Sequence, residues 1–398
     1  MTKHIGLILA AMLLMAAPAW AQKNYDPGAT DTEIKIGNVS PATGWLSEYG
    51  AVARAEGAYF QMINDRGGIN GRKINFVSLD SGSSPRKAIE LAHRLVEEDQ
   101  VLLIFGSQGA AANVAIRPYM NERKVPQLFV ASPLSKLNDP AQFPWTMGFQ
   151  PSAGTEAAIY AKYILQNKPD AKIAVLYADD EEGKDFLQGL HEALGDKSGS
   201  MIVKEASYED YDPYLDPQLA ALKNSGADVF LNFTVGKYST QAIRKIYDMD
   251  WHPMQFLPNA SLSIAAFLDP AGLKKAVGII TSARSKGWMS AQARNDPDAQ
   301  EFLDWMHKYN ANASLRDANN VYGYEAAETL IEVLKKCGDD LTRANVMKQA
   351  TSLDLSVGML LPGIRVRTSP TDYRPIKQLY LMRFDGSNWV KFSDLIGG

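Results

Sequence analysis

Hydrophobic and polar positions follow two recurring patterns along most of the chain. Short, mostly apolar runs, such as 101–105 and 229–233, have the length and composition of buried strands. Between such runs, apolar residues recur at helical spacing, for example at positions 52, 55, 59, 62 and 63. Strands that alternate with helices through short connections usually form parallel sheets covered by helices on both faces. The pattern therefore predicts a doubly wound α/β architecture.

Local signals predict where several of these elements begin and end. Ser84 and Pro85 have the residue types of a helix N-cap and a first helical position. Gly67 and Gly68 follow the apolar pattern that starts near position 52, and glycine commonly ends a helix. Near the end of the chain, the segments 378–384 and 389–392 flank a turn-forming stretch, Asp-Gly-Ser-Asn. This arrangement predicts a β-hairpin.

The first 21 residues have the pattern of a secretory signal peptide. Lys3 and His4 precede an uncharged apolar segment, 5–17, and Ala19-Trp20-Ala21 matches the small-x-small cleavage pattern. We therefore expect residues 1–21 to be removed and the protein to be exported. The remainder of the 398-residue chain is too long for one ordinary hydrophobic core, so two domains are expected.

Charge and chemical motifs favour a binding protein over an enzyme. The 41 Lys and Arg residues are scattered and are balanced by 45 Asp and Glu residues, so no nucleic-acid partner is expected. The single cysteine, Cys337, closes a helical pattern and is interpreted as a packing residue. The sequence contains neither a Walker A loop nor a G-x-S-x-G motif, and its histidines lie far apart. We therefore predict no catalytic residues, no metal and no cofactor.

One strand-to-helix turn is a candidate anion site. The apolar run 101–105 ends at Gly106, and helix-forming residues begin at Ala110. In such a turn, backbone N–H groups point outward, and together with the helix dipole they favour an anion. Ser107 adds a hydroxyl group. The alternative is an ordinary connecting loop that contacts no ligand, and these residues alone leave both interpretations open.

Several longer motifs carry a family resemblance. The stretch 63–74 reads INDRGGINGRKI and is followed by Asp80. Further motifs are Gly106-Ser107, Val125-Pro126 and the segments 132–135, 149–152 and 176–183. With these motifs the protein resembles the leucine/isoleucine/valine-binding-protein family, the periplasmic receptors of branched-chain amino-acid-type ABC transporters, over roughly residues 31–398.

The resemblance implies an α/β fold of two Rossmann-like lobes, each a parallel sheet flanked by helices. The lobes would be joined by three crossovers, which is the type I periplasmic binding fold, and the ligand would lie between them. Lobe one would comprise 31–150 plus 284–375. Lobe two would comprise 151–283 plus 376–398.

The resemblance also implies which residues bind the ligand. In amino-acid-binding members, lobe one holds the carboxylate through two turns, and an aromatic loop closes over the ligand. The matching residues here are Trp45, Tyr49, Ser107, Gly109, Ala110, Ser132 and Ser135. On lobe two an acidic residue normally holds the ammonium group, but here Asn259 stands at or beside that position. Glu182 replaces a tyrosine that is usual in the family.

These differences predict a small organic acid as ligand, without an α-amino group and favouring an aromatic carboxylate. Asn259 carries no charge, so an ammonium group would lose its buried counter-ion. If Glu182 faces the cleft, a branched-chain or other amino acid remains the alternative. The resemblance implies an ABC permease in the inner membrane as partner and the periplasm as location. A ligand sensor for a membrane receptor is a second reading of the same fold, and an enzyme is the weakest.

Overall fold

A computed structural model describes residues 23–289 and 292–398, so the predicted signal peptide 1–21 lies outside the described residues. The first sheet consists of five parallel strands in the order β2-β1-β3-β4-β5. Its strands are β1 (Glu33–Ser40), β2 (Lys73–Asp80), β3 (Leu103–Phe105), β4 (Gln127–Val130) and β5 (Thr146–Gly148).

The second sheet repeats the same order in its parallel part, β7-β6-β8-β9-β10, and then continues with antiparallel strands from the end of the chain. Its strands are β6 (Ile173–Ala178), β7 (Ile202–Tyr208), β8 (Val229–Phe233), β9 (Met254–Leu257), β10 (Ile280–Ala283), β11 (Gln378–Phe384), β12 (Trp389–Lys391) and β13 (Ile396–Gly397). Strands β11 and β12 form the predicted hairpin, and β13 pairs with β11.

Ten helices of eight or more residues surround the sheets in the described parts of the chain. They are α1 (Gly50–Asp65), α2 (Pro85–Glu97), α3 (Ala110–Glu122), α4 (Ala153–Asn167), α5 (Glu181–Leu194), α6 (Asp216–Asn224), α7 (Lys237–Asp248), α8 (Pro297–Tyr309), α9 (Ala318–Cys337) and α10 (Arg343–Ala350). Ser84 caps α2, with its side chain accepting from the Lys87 N–H, as the sequence predicted.

Short segments complete the fold. Asn24–Tyr25 pairs with Asp340–Leu341, and Asp354–Leu355 pairs with Val366–Arg367. Single helical turns lie at Ser47–Tyr49, Ser135–Asn138, Gly195–Lys197, Ser198–Met201, Asn259–Ser261, Ile264–Leu268, Asp269–Ala271, Leu273–Ala276 and Gln292–Asn295.

The chain passes three times between the two sheets and their helices. It leaves the first sheet after β5, completes the parallel part of the second sheet, and returns after β10 to supply α9, which packs on α1 of the first half. The contact is close, since a Cβ on Gly323 of α9 would lie 2.7 Å from the Val52 carbonyl oxygen. The last passage leads to β11. The predicted fold class is confirmed, and the predicted residue bounds of the two lobes stay a prediction.

The central strands of both sheets are buried between helices. Every residue from Val101 to Phe105 is fully buried, and so are Val229 to Leu231 in the second sheet. Such strands, covered on both faces, read as continuous apolar runs because helices lie above and below them. Among the described residues, we find no helix whose length and hydropathy would let it span a membrane.

Candidate ligand-binding site

A cavity of about 520 Å³ lies where the carboxyl ends of the two sheets face each other. Its walls come from the loops that follow all five strands of the first sheet, from those that follow β6, β8, β9 and β10 of the second, and from the β11–β12 hairpin. The start of α9 closes another side. In open α/β sheets, ligands bind beyond the carboxyl ends of the strands, where the strand order reverses. The cavity has this position in both sheets at once.

The N-terminus of α3 borders the cavity. Gly109 is the N-cap residue with φ +88°, which favours glycine, and no side chain caps this end. The first intrahelical acceptor is the Gly109 carbonyl, which binds the Asn113 N–H. The N–H groups of the first turn, starting at Ala110, therefore have no helical acceptor. Gly109 and Ala110 both line the cavity, as expected for the predicted anion-binding turn.

Two of the predicted serines use their polar atoms elsewhere. The Ser107 hydroxyl accepts the Val39 N–H at 3.2 Å, and the residue is buried. The Ser135 N–H donates to Asp185 Oδ2 at 2.7 Å, on α5. Neither residue is part of the cavity wall in the described chain. Each residue lies on the expected loop, but Ser107 binds backbone within its own sheet and Ser135 contacts α5. Their contact with a ligand stays a prediction.

Ser132 and Glu182 both line the cavity and are joined by a hydrogen bond. The Ser132 hydroxyl donates to Glu182 Oε2 at 3.3 Å, which joins the loop after β4 to the first turn of α5. Glu182 lines the cavity. Burial raises the pKa of Glu182 to about 8, nearby Asp180 and Asp185 raise it further, and the bond from Ser132 opposes the rise. At pH 7 this carboxyl group is therefore mostly protonated and neutral.

The two predicted aromatic residues line the cavity and also link its two sides. The Tyr49 hydroxyl accepts the Gly236 N–H at 3.2 Å, at the loop after β8. The Tyr49 ring packs against Phe267, with ring centroids 5.7 Å apart. The Trp45 carbonyl oxygen lies 3.4 Å from where a Cβ on Gly236 would stand. Trp45 and Tyr49 thus bring the loop after β1 into contact with the second sheet.

Asn259 lines the cavity, but its side-chain amide already has two partners. Its Nδ2 donates to the Ser282 carbonyl at 2.8 Å, and its Oδ1 accepts from Arg284 Nη1 at 3.0 Å. Its backbone N–H donates to Glu156 Oε1 at 2.7 Å. Asn259 therefore orients Arg284 in this structure.

Arg284 is a charged cavity residue that is absent from the predicted site. It follows β10 directly, lines the cavity, and forms an ion pair with Glu325, from Nε to Oε2 at 3.1 Å. The side chains of both residues are almost completely buried, at 4 % and 0 % exposed. The available signal was an arginine directly after the strand Ile280–Ala283, at the expected start of the second segment of lobe one.

Among the described residues, no group of acidic, histidine and cysteine side chains has the geometry to hold a metal ion. The polar groups around the cavity are instead N–H donors, hydroxyls, side-chain amides, the cations Arg284, Lys286 and Arg316, and the carboxyl groups of Asp180 and Glu182. Together with the aromatic and aliphatic walls, they suit a small organic molecule with polar ends.

Comparison with known proteins decides the family. The family model described as "Periplasmic binding protein" matches residues 33–388. This chain belongs to the periplasmic binding proteins. Leu/Ile/Val-binding protein homolog 1 of Brucella suis is 25 % identical over 361 residues, covering 87 % of this chain and 88 % of that protein. The resemblance to the leucine/isoleucine/valine-binding proteins of ABC transporters is thereby confirmed.

Solved structures agree on the fold of this periplasmic binding protein. A branched-chain amino acid ABC transporter protein from Thermus thermophilus with bound valine has a TM-score of 0.82 at 15 % identity, covering 92 % of this chain and 97 % of that one. A solute binding protein from Rhodopseudomonas palustris BisB5 in complex with 3,4-dihydroxybenzoic acid has a TM-score of 0.76 at 20 % identity, covering 92 % and 98 %.

Proposed function

We propose that this periplasmic binding protein is the substrate-binding component of an ABC importer and captures a small organic acid, with aromatic carboxylates as the favoured class. It would act in the periplasm after removal of residues 1–21 and deliver its ligand to a permease of the inner membrane. Proteins of this fold hold valine in one case and a dihydroxybenzoic acid in another. The choice between such ligands therefore rests on the side chains of this cavity.

The observation that carries the proposal is the lack of a negative charge at Asn259 and Glu182, on the second-sheet side of the cavity. An amino acid needs a buried negative charge for its ammonium group. Asn259 is neutral, and its amide is already bound to Ser282 and Arg284. Two acidic side chains line the cavity, Asp180 and Glu182. Asp180 caps α5 by accepting the Gly183 N–H, and the pKa of Glu182, about 8, makes that carboxyl group largely neutral at pH 7. A carboxylate is instead compensated by the N–H donors and the helix dipole at the start of α3.

The shape of the wall supports a flat ligand body. Trp45, Tyr49 and Tyr322 line the cavity together with Trp288 and Trp389. Aromatic walls favour ring-containing ligands through stacked and edge-to-face contacts. The cavity volume of about 520 Å³ also leaves room for a ring with substituents.

Glu182 is also the observation that favours the second candidate, an amino acid. A ligand ammonium group beside this carboxyl group would lower its pKa and form a buried ion pair. Calorimetry on protein stripped of ligand by unfolding and refolding can separate the two candidates. We expect benzoate- or cinnamate-type acids to bind at pH 7, and leucine, valine and glutamate to show no binding.

The matched variants are Glu182→Gln and Glu181→Gln, two neighbouring positions of which only the first lines the cavity. Binding of an aromatic acid should persist in both, because glutamine resembles the neutral form of Glu182. Micromolar binding of an amino acid that is lost in Glu182→Gln and kept in Glu181→Gln would overturn the proposal.

A further inference from the structure

A continuous chain of hydrogen bonds leads from the core of the second half to the cavity. Ser282 Oγ and the Asn259 N–H both donate to Glu156 Oε1, at 2.6 and 2.7 Å. The Asn259 side chain then binds Arg284, and Arg284 binds Glu325. Glu325 also accepts from the Ser285 hydroxyl at 2.6 Å. Within this hydrogen-bond network, Arg284 is the residue that is positively charged and also lines the cavity.

The guanidinium group of Arg284 is held rigidly and keeps one donor nitrogen free. Nε is bound to Glu325 and Nη1 to Asn259, whereas Nη2 has no hydrogen-bond partner among the described residues. The rings of Tyr322 and Phe149 lie 4.8 and 5.9 Å from the guanidinium carbon. These contacts fix the plane of the fork, so a ligand acceptor would bind it without ordering a mobile side chain.

The surrounding charges favour a neutral acceptor over a second anion. Glu325 offsets the charge of Arg284 at 3.1 Å, and Asn259 is uncharged. The two other cations that line the cavity are already paired, Lys286 with Asp296 and Asp298 and Arg316 with Asp269. A second ligand carboxylate would therefore add a buried negative charge that no unpaired cation of the cavity wall balances. A hydroxyl oxygen adds no charge and still receives a charge-assisted hydrogen bond.

We propose that Arg284 Nη2 binds a hydroxyl group of the ligand, at the end opposite its carboxylate, and that Asn259 and Glu325 are positioning residues. The ligand class is then a hydroxylated aromatic carboxylate. This inference rests on the proposed function, since it places the carboxylate at the start of α3, on the other sheet. The start of α3 would bind the carboxylate of the ligand, and Arg284 would bind the hydroxyl group at its other end.

The test compares ligands of matched shape by calorimetry at pH 7. The probes are 3- and 4-hydroxybenzoate, 4-methylbenzoate as a control of similar size, and terephthalate as a dicarboxylate. We expect one hydroxybenzoate to bind at least about tenfold more tightly than 4-methylbenzoate, because a hydrogen bond to a charged group is worth about that factor. Terephthalate should bind more weakly than that hydroxybenzoate.

Three variants assign the preference to Arg284. Arg284→Met leaves Glu325 buried without its cation, so the double variant Arg284→Met with Glu325→Gln removes both charges together and serves if the single variant does not fold. The hydroxyl preference should fall to about twofold or less, while 4-methylbenzoate binding persists. Asn259→Ala should lower the preference at least threefold, whereas a merely structural role would lower hydroxybenzoate and 4-methylbenzoate affinity by the same factor.

The outcomes separate this inference from the function on which it rests. Equal binding of hydroxy and methyl acids, a preference that survives in the double variant, or tighter binding of terephthalate would each overturn the role of Arg284 and leave the organic-acid function standing. If none of the aromatic acids binds and an amino acid does, both proposals fail.

Discussion

The protonation state of Glu182 makes ligand binding depend on pH in a direction that identifies the ligand. This carboxyl group lines the cavity and has a pKa of about 8 because it is buried beside Asp180 and Asp185. A ligand carboxylate is ionised throughout the range from pH 6 to 9. Over that range, the charge of the ligand stays constant and the charge of Glu182 changes.

The magnitude follows from the fraction of protein with a neutral Glu182. That fraction is about nine tenths at pH 7 and about one tenth at pH 9 for a pKa of about 8. If an anionic ligand binds only the neutral form, its apparent affinity falls in proportion, by about tenfold from pH 7 to pH 9. The loss occurs as pH rises through the pKa, because the ionised carboxylate repels the ligand.

An ammonium-bearing ligand would give the opposite slope. It needs the ionised form of Glu182, whose population rises about tenfold between pH 6 and pH 7. Its affinity would therefore increase over that interval. The sign of the slope thus distinguishes the two ligand classes without any knowledge of the individual compound.

Calorimetric titrations at pH 6, 7, 8 and 9 measure this dependence for any acid that binds. Glu182→Gln should show affinity that is independent of pH, and Glu181→Gln should follow the unsubstituted protein. A flat profile in the unsubstituted protein, or affinity that rises with pH, would refute the assignment of a neutral Glu182 beside a bound anion.

Two further substitutions test the site and its support. Gly106→Ala should lower the free energy of unfolding in urea by about 2 kcal/mol or more, because φ is +62° and the new Cβ would lie 2.0 Å from Glu56 Oε1. The control Gly199→Ala, whose new Cβ would meet nothing within 4 Å, should change the free energy of unfolding little. Equal losses in the two variants would contradict the reasoning. Tyr49→Phe removes the hydroxyl that accepts the Gly236 N–H. Because that hydrogen bond joins the two sides of the cavity, its loss should weaken ligand binding roughly fivefold in calorimetry. Unchanged affinity would show that the bond does not help to hold the two sides together around the ligand.

The sequence predicted most of the fold because its signals are local. Apolar runs marked the buried strands, helical spacing marked the long helices, and Ser84 marked a cap that the structure confirms. Small pairings were missed, such as Asn24–Tyr25 with Asp340–Leu341, because two-residue strands have no periodicity to detect. Their partners are also far away along the chain.

The candidate site was predictable as a set of loops but not as a set of contacts. The carboxyl ends of the strands had to converge, so Tyr49, Ser132 and Glu182 fell beside one cavity. Side-chain direction was not encoded in the same way, and Ser107 turns back to bind Val39. The position of Arg284 after a strand was readable, but its role was not, because that role depends on Asn259 and Glu325, which are 25 and 41 residues away in sequence.

The three passages of the chain between its halves have a consequence for folding order. Strand β10 pairs with β11 across roughly 100 residues, and α1 is covered by a helix made only after the parallel strands of the second sheet. Neither half is complete until the last part of the chain is present. We expect a fragment ending near residue 283 to leave the Val52 side of α1 uncovered and an edge of β10 unpaired, so that the halves gain their stability together and late, as one cooperative unit.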